Sequence, residues 1–309
     1  MAQSIEGISG RIWDEFYTGF HYFERDLVRD GCHALIFEHA EPTDKAIVLV
    51  HGLSDSPYFM SEIGEYFHQM GYNVYVPLLH FHGLKEPMGM EDVEVNEWKA
   101  NVNFAIDVAN DKAEQVSIGG LSTGGTLSVL MAATHPSING ELYLFSAALD
   151  LAGGRGGWLG ESKERILRTP LARWLEPLVN IILNRTSLIG ENPYRYEYVD
   201  LDGAEELAKL IKETDTLLRK YSSKEPFPKR VFAAHSEFDS TADIAGIRKL
   251  QSVSDPALFR PYFFDKKLEI SHASVVLKNP IPNTGEPILE KANPYFSKMM
   301  TAIKKFQDG

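Results

Sequence analysis

Ser122 lies in Gly120-Leu121-Ser122-Thr123-Gly124, a G-x-S-x-G pattern. A serine hydroxyl is a weak nucleophile and works only when held out of the chain within reach of a base. The flanks supply that projection. The apolar run 115–120 reads as a buried strand, and 124–135 reads as a helix that starts almost at once. A strand–turn–helix setting is what this motif requires. So tight a turn leaves no room for a bulky Cβ on either side, which suits glycine at 120 and 124. The helix start beneath it offers free N–H groups and a positive dipole end to a developing oxyanion.

The elements that must carry this turn follow from periodicity. Residues 46–52 and 72–79 read as strands, as do 32–39, 141–147, 229–235 and 261–267. Helices are predicted over 56–70, 91–112 and 294–307, and in the first 30 residues, where Ile12, Phe16, Phe20 and Phe23 share a face. Strands alternating with helices imply an α/β fold, a mostly parallel central sheet with helices on both faces. The alternation breaks between Leu149 and Lys229, which holds no convincing strand and begins with a glycine-rich run at 153–157. We read 150–228 as a helical lid or cap insertion between an N-terminal core part, 1–149, and a C-terminal core part, 229–309. A segment this long needs structure of its own.

With the elbow, the strand order and the insertion in place, the chain resembles the α/β-hydrolase superfamily, in particular its lidded carboxylesterase and monoacylglycerol-lipase-like branch. The resemblance spans about residue 32 to 309 and implies the triad order serine, acid, histidine. It places the acid at Asp239, in the loop after strand 229–235. Glu237 and Asp243 are nearby alternatives, and Asp150 stands after strand 141–147. The base is His272, in a loop after strand 261–267 with small neighbours; His135 ends a helix and His235 sits at a strand tip. The resemblance also implies an oxyanion hole from the backbone N–H groups of Leu53, after His51-Gly52, and of Thr123.

A departure from the family occurs at His80-Phe81-His82-Gly83, where many relatives carry Gly-His-Gly. The H-x-H pair offers two possible ligands, but no third with good spacing, and the triad needs no metal. No cofactor is expected.

The insertion is rich in large apolar residues. Most of them pack on one another or on the core, as helices do; Trp158, Ile166, Leu171, Trp174 and Leu178 are candidates for an acyl pocket. An apolar lid over a polar centre suits a small-molecule ester with a hydrophobic acyl part. The same triad would serve an acyltransferase, thioesterase, lactonase or peptidase, and a non-catalytic ligand-binding protein can be built on the same fold.

Bulk properties narrow the classes. The 309 residues carry a net charge of −12, against the basic surface that nucleic acid demands. With 44% hydrophobic and 24% charged residues the composition is that of an ordinary globular protein. One cysteine, Cys32, permits no internal disulfide. No secretory signal and no apolar stretch long enough for a membrane span is evident, so a cytoplasmic location is expected. The sequence is silent on oligomeric state.

Overall fold

The computed structural model describes residues 24–86, 89–151, 192–197, 201–281 and 288–309. Seven strands are described: β1 (Leu35–Phe37), β2 (Lys45–Val50), β3 (Tyr72–Val76), β4 (Gln115–Leu121), β5 (Leu142–Phe145), β6 (Val231–Ser236) and β7 (Phe259–Phe264). They form one sheet in the order β1-β3-β2-β4-β5-β6-β7. Only β1 runs antiparallel, against β3; every other pairing is parallel. The described α-helices are α1 (Tyr58–Gln69), α2 (Val95–Lys112), α3 (Thr123–Thr134), α4 (Leu201–Leu218), α5 (Ile244–Ser252) and α6 (Phe296–Asp308).

Side chains of a strand alternate between faces, so a strand covered on both sides must be apolar throughout. This chain obeys that rule. Val48, Val50, Leu142 and Leu144 enter one core, with Trp98, Val102 and Ile106 of α2 and Leu127 of α3. Ile47, Leu49, Tyr143 and Phe145 enter the other, with Phe59, Ile63 and Phe67 of α1 and Met299 and Ile303 of α6. Fully burying such a side chain contributes about 1.5–3 kcal/mol.

The sequence placed most elements to within a few residues. Strand 32–39 shortens to β1 because it is a sheet edge with a single partner. Helix α5 was not anticipated from the sequence; Asp243 caps it by accepting from the Ala245 N–H at 2.9 Å. Of the helix predicted in the first 30 residues, the part up to residue 23 lies outside the described residues, and the rest forms only a 3₁₀ turn at Arg25–Leu27. So does most of the insertion, including Trp158, Ile166, Leu171, Trp174 and Leu178. Of 150–228, helix α4 is described, and it packs on the core: Leu207, Leu210 and Leu218 are buried in the first cluster. Its Glu206 accepts from the Val95 N–H at the start of α2, at 2.8 Å. No helix among the described residues is long and apolar enough to cross a membrane.

Candidate active site

Parallel strands deliver their C-terminal ends to one edge, where ligands of open α/β sheets gather. Ser122 occupies that edge between β4 and α3, with φ 54° and ψ −118°. A non-glycine residue in that region costs roughly 1–3 kcal/mol and must be held there by its surroundings. The holding is visible. The Ser122 N–H donates to Phe145 O at 3.1 Å, and its carbonyl accepts from Ala148 N at 3.0 Å and Thr126 N at 3.1 Å. A Cβ at Gly124 would collide with the Val50 carbonyl, and one at Gly120 would stand 2.5 Å from the carbonyl carbon of Gly124. The glycines of the motif are thus required by close backbone packing. Ser122 is 7% exposed.

Asp239 stands in the loop after β6, and its carboxylate is fully buried. One oxygen, Oδ1, accepts from the backbone N–H groups of Thr241 (2.8 Å) and Ala242 (3.0 Å). The other, Oδ2, lies 2.6 Å from Nδ1 of His272. Burial by itself would raise the Asp239 pKa, but the His272 charge and these hydrogen bonds outweigh it and hold the carboxyl below its ordinary value. His272 precedes a short 3₁₀ turn, Ala273–Val276, in a loop tied by a 2.6 Å contact between the hydroxyls of Ser271 and Ser274. With Nδ1 donating to Asp239, Nε2 keeps its lone pair. That atom is buried and has no hydrogen-bond partner among the described residues.

The alternative acids have other work. Asp150 accepts from the Leu151 N–H at 2.9 Å, Asp243 caps α5, and Glu237 faces Arg248 at 3.7 Å. His235 is fully buried on β6 with Nε2 3.8 Å from Asp239 Oδ2, and burial lowers its pKa. The sequence marked it only as a strand tip.

Leu53 follows His51-Gly52 at the end of β2. The turn 52–55 closes with Asp55 N–H donating to Gly52 O at 3.2 Å, and Ser54 adopts φ 63°. A Cβ on Gly52 would stand 3.1 Å from that of Ser122, so this turn abuts the elbow directly. Thr123, the first residue of α3, is fully buried. The backbone amides of Leu53 and Thr123 donate to no acceptor among the described residues. Behind the turn, His51 Nδ1 bonds Gly52 O (2.9 Å) and its Nε2 accepts from Leu79 N–H (3.1 Å). The His80–Gly83 loop is buried under the same edge. Phe81 and Gly83 take positive φ of 57° and 65°, and His82 Nδ1 donates to His80 O at 2.8 Å. Burial lowers both His80 and His82 to about 4, which keeps them neutral. Among the described residues no group of three or more His, Cys, Asp or Glu could hold a metal ion.

Sequence reasoning missed a cluster beside the turn. Arg195 reaches Asp55 Oδ1 with Nη2 (2.6 Å) and Nε (2.9 Å), and Glu290 Oε1 with Nη1 (2.6 Å). Both carboxylates are buried. No local pattern signals it, because the three residues are far apart in sequence.

A strained serine elbow on a mostly parallel sheet, and a buried Asp–His pair after its following strands, give this chain the α/β-hydrolase fold. The serine aminopeptidase S33 family (Hydrolase_4) matches residues 41–187, which include the turn after β2 and Ser122 but stop short of Asp239 and His272. A thermostable monoacylglycerol lipase of Bacillus sp. strain H-257 is 27% identical over 180 residues, 58% of this chain and 67% of that protein. Among solved structures, a metagenome-derived lipolytic enzyme superposes with a TM-score of 0.63 at 16% identity, covering 91% of this chain and all of the other. A monoacylglycerol lipase of Paleococcus ferrophilus gives 0.61 at 16% identity, covering 89% and 97%. At such identities the structural likeness speaks for the fold.

Proposed function

We propose that the chain hydrolyses carboxylic esters through an acyl-enzyme on Ser122, with His272 as base and Asp239 as the acid that orients it. His272 Nε2 takes the hydroxyl proton as Ser122 Oγ bonds to the carbonyl carbon. The carbonyl oxygen becomes an oxyanion, which the N–H groups of Leu53 and Thr123 receive; each such donor is typically worth a few kcal/mol. Collapse of the tetrahedral species expels the alcohol, protonated by the imidazolium. Water then gives its proton to Nε2 and attacks the acyl carbon, and Ser122 leaves with that proton restored.

The observation that carries this reading is the state of His272: Nδ1 bound at 2.6 Å to a buried carboxylate, and Nε2 buried without a hydrogen-bond partner among the described residues. His82 and His235 also leave one ring nitrogen without a hydrogen bond among the described residues; what sets His272 apart is the buried carboxylate on its other nitrogen. A substrate with a hydrophobic acyl part, of the acylglycerol kind, is favoured by the apolar residues of 158–182 and by the name of the Bacillus relative. The S33 family description raises a peptide substrate as the competing reading.

A panel of p-nitrophenyl esters of increasing acyl length, with an aminoacyl p-nitroanilide beside it, tests both. Ester turnover that rises with acyl length is expected, and anilide turnover alone would favour the peptidase. Product analysis with an added alcohol separates hydrolysis from acyl transfer. Ser122→Ala should lower kcat by about 10⁴-fold or more with the fold intact. Undiminished turnover, or a wild-type Ser122 that takes no fluorophosphonate label, would refute the assignment.

A further inference from the structure

We propose that Arg195 is a positioning residue for the oxyanion-binding turn, clamping it through Asp55 and anchoring it to the segment before α6 through Glu290. The inference rests on the acyl-enzyme reading of Ser122 given above. Its geometry is independent of that reading. The turn 52–55 is not a relaxed structure: Ser54, a non-glycine, holds φ 63°. Such a conformation persists only where neighbours over-determine it. The neighbours here belong to the segment 192–197. Tyr196 N–H donates to Ser54 O at 2.8 Å, and Arg195 takes Asp55 Oδ1 with two donors. The segment is itself fixed from behind, since Arg29 Nη1 donates to Arg195 O at 3.1 Å.

The second carboxylate oxygen of Asp55 fills the space a Cβ on Gly52 would need, and that same position lies 3.1 Å from the Ser122 Cβ. Asp55 thus stands two residues after Leu53 with one oxygen beside Gly52. Moving Asp55 moves the Leu53 N–H relative to the serine. A carboxylate in that place would also repel a developing oxyanion unless its charge were balanced, and Arg195 balances it. Glu290 then holds the guanidinium on its far side, and its pKa is raised by burial, with Arg195 and His272 acting to lower it. The guanidinium also covers the Phe59 ring, 5.0 Å from its centroid, at the start of α1. A lysine could supply the charge but not the fork that engages both acids at once.

The test compares Arg195→Met, Arg195→Lys and Asp55→Asn in the full-length protein. Each is followed by circular dichroism, by kcat and KM on a p-nitrophenyl ester, and by affinity for a trifluoromethyl ketone, which forms a tetrahedral adduct with the serine. In Arg195→Met we expect kcat to fall roughly 10–100-fold, with KM changed less than about threefold and ketone affinity falling in parallel with kcat/KM. Arg195→Lys should recover only part of the loss, and Asp55→Asn should cost about tenfold in kcat. A folded Arg195→Met protein with wild-type kcat overturns the proposal. So does a loss confined to KM, or a ketone affinity that stays constant while kcat falls. If Arg195→Met does not fold, Asp55→Asn decides: unchanged kcat there overturns the clamp. Fluorophosphonate separates this inference from its premise. An unlabelled wild-type Ser122 removes both, whereas equal labelling rates in wild type and Arg195→Met remove the clamp alone.

Discussion

Two buried carboxylate clusters, one in the loop after β6 and one at the turn after β2, differ in what their partners do with a proton. Asp239 binds an imidazole through one nitrogen and leaves the other without a partner among the described residues. Asp55 and Glu290 share a guanidinium that stays charged at any pH a protein survives. The first cluster can accept a proton at Nε2 and return it. The second cannot titrate through its cation, and three N–H groups of one planar guanidinium, aimed at two acids, fix direction as well as charge. On the proposed reading, similar burial and similar distances thus serve a moving part in one place and a frame in the other.

The contrast can be broken most sharply at the acids themselves. Asp239→Asn should lower kcat by about 10³–10⁴-fold, because the amide can donate to His272 and favour the tautomer whose Nε2 carries the proton. Asp150→Asn, assayed alongside, should leave kcat within about twofold, since its carboxylate accepts from the Leu151 N–H while Asp239 is the acid on His272 Nδ1. A large loss in Asp150→Asn with a small one in Asp239→Asn would reverse the roles assigned to these residues. Next in size is the loss of roughly 10–100-fold expected for Arg195→Met, well below that for Asp239→Asn because a clamp acts through another residue. Equal losses at the two clusters would mean that both belong to one catalytic unit.

The smallest effect concerns stability. His82 is held at about 4 by burial against an ordinary 6.5. The unfolded chain therefore binds this proton more readily, so the contribution is fully present above about pH 6.5 and is lost as pH falls towards 4. Between pH 7 and pH 5 the loss is roughly 2 kcal/mol from this residue. Denaturant melts at the two pH values check it, and His82→Gln should flatten the dependence by that amount. An unchanged slope in the variant would show that the ring is not held neutral in the fold.

Much of the candidate site was legible because local rules encode it. The serine elbow needs small flanks, a preceding apolar strand and a following helix, all within 20 residues. Asp239 and His272 could be found by their positions after strands, once the order of the elements was known. Other features were hidden for specific reasons. His235 looks like any apolar-strand terminus until the chain folds and brings it 3.8 Å from Asp239. Helix α4, grouped with the insertion by its lack of strands, has an apolar stripe that fits lid or core equally; its contacts with α2 and α3 put that stripe in the core.

What the sequence determined by itself was the set of periodicities: strands apolar on both faces, helices with one apolar face, and a glycine-flanked serine between them. Those patterns are short-range and fix an α/β architecture with a mostly parallel sheet, because few topologies bury them all. The tertiary structure alone decided which charges meet. Arg195 is separated from Asp55 by 140 residues and from Glu290 by 95, and no periodicity carries information over such distances. Only the packing of the segment 192–197 against the turn after β2 brings them within hydrogen-bond reach.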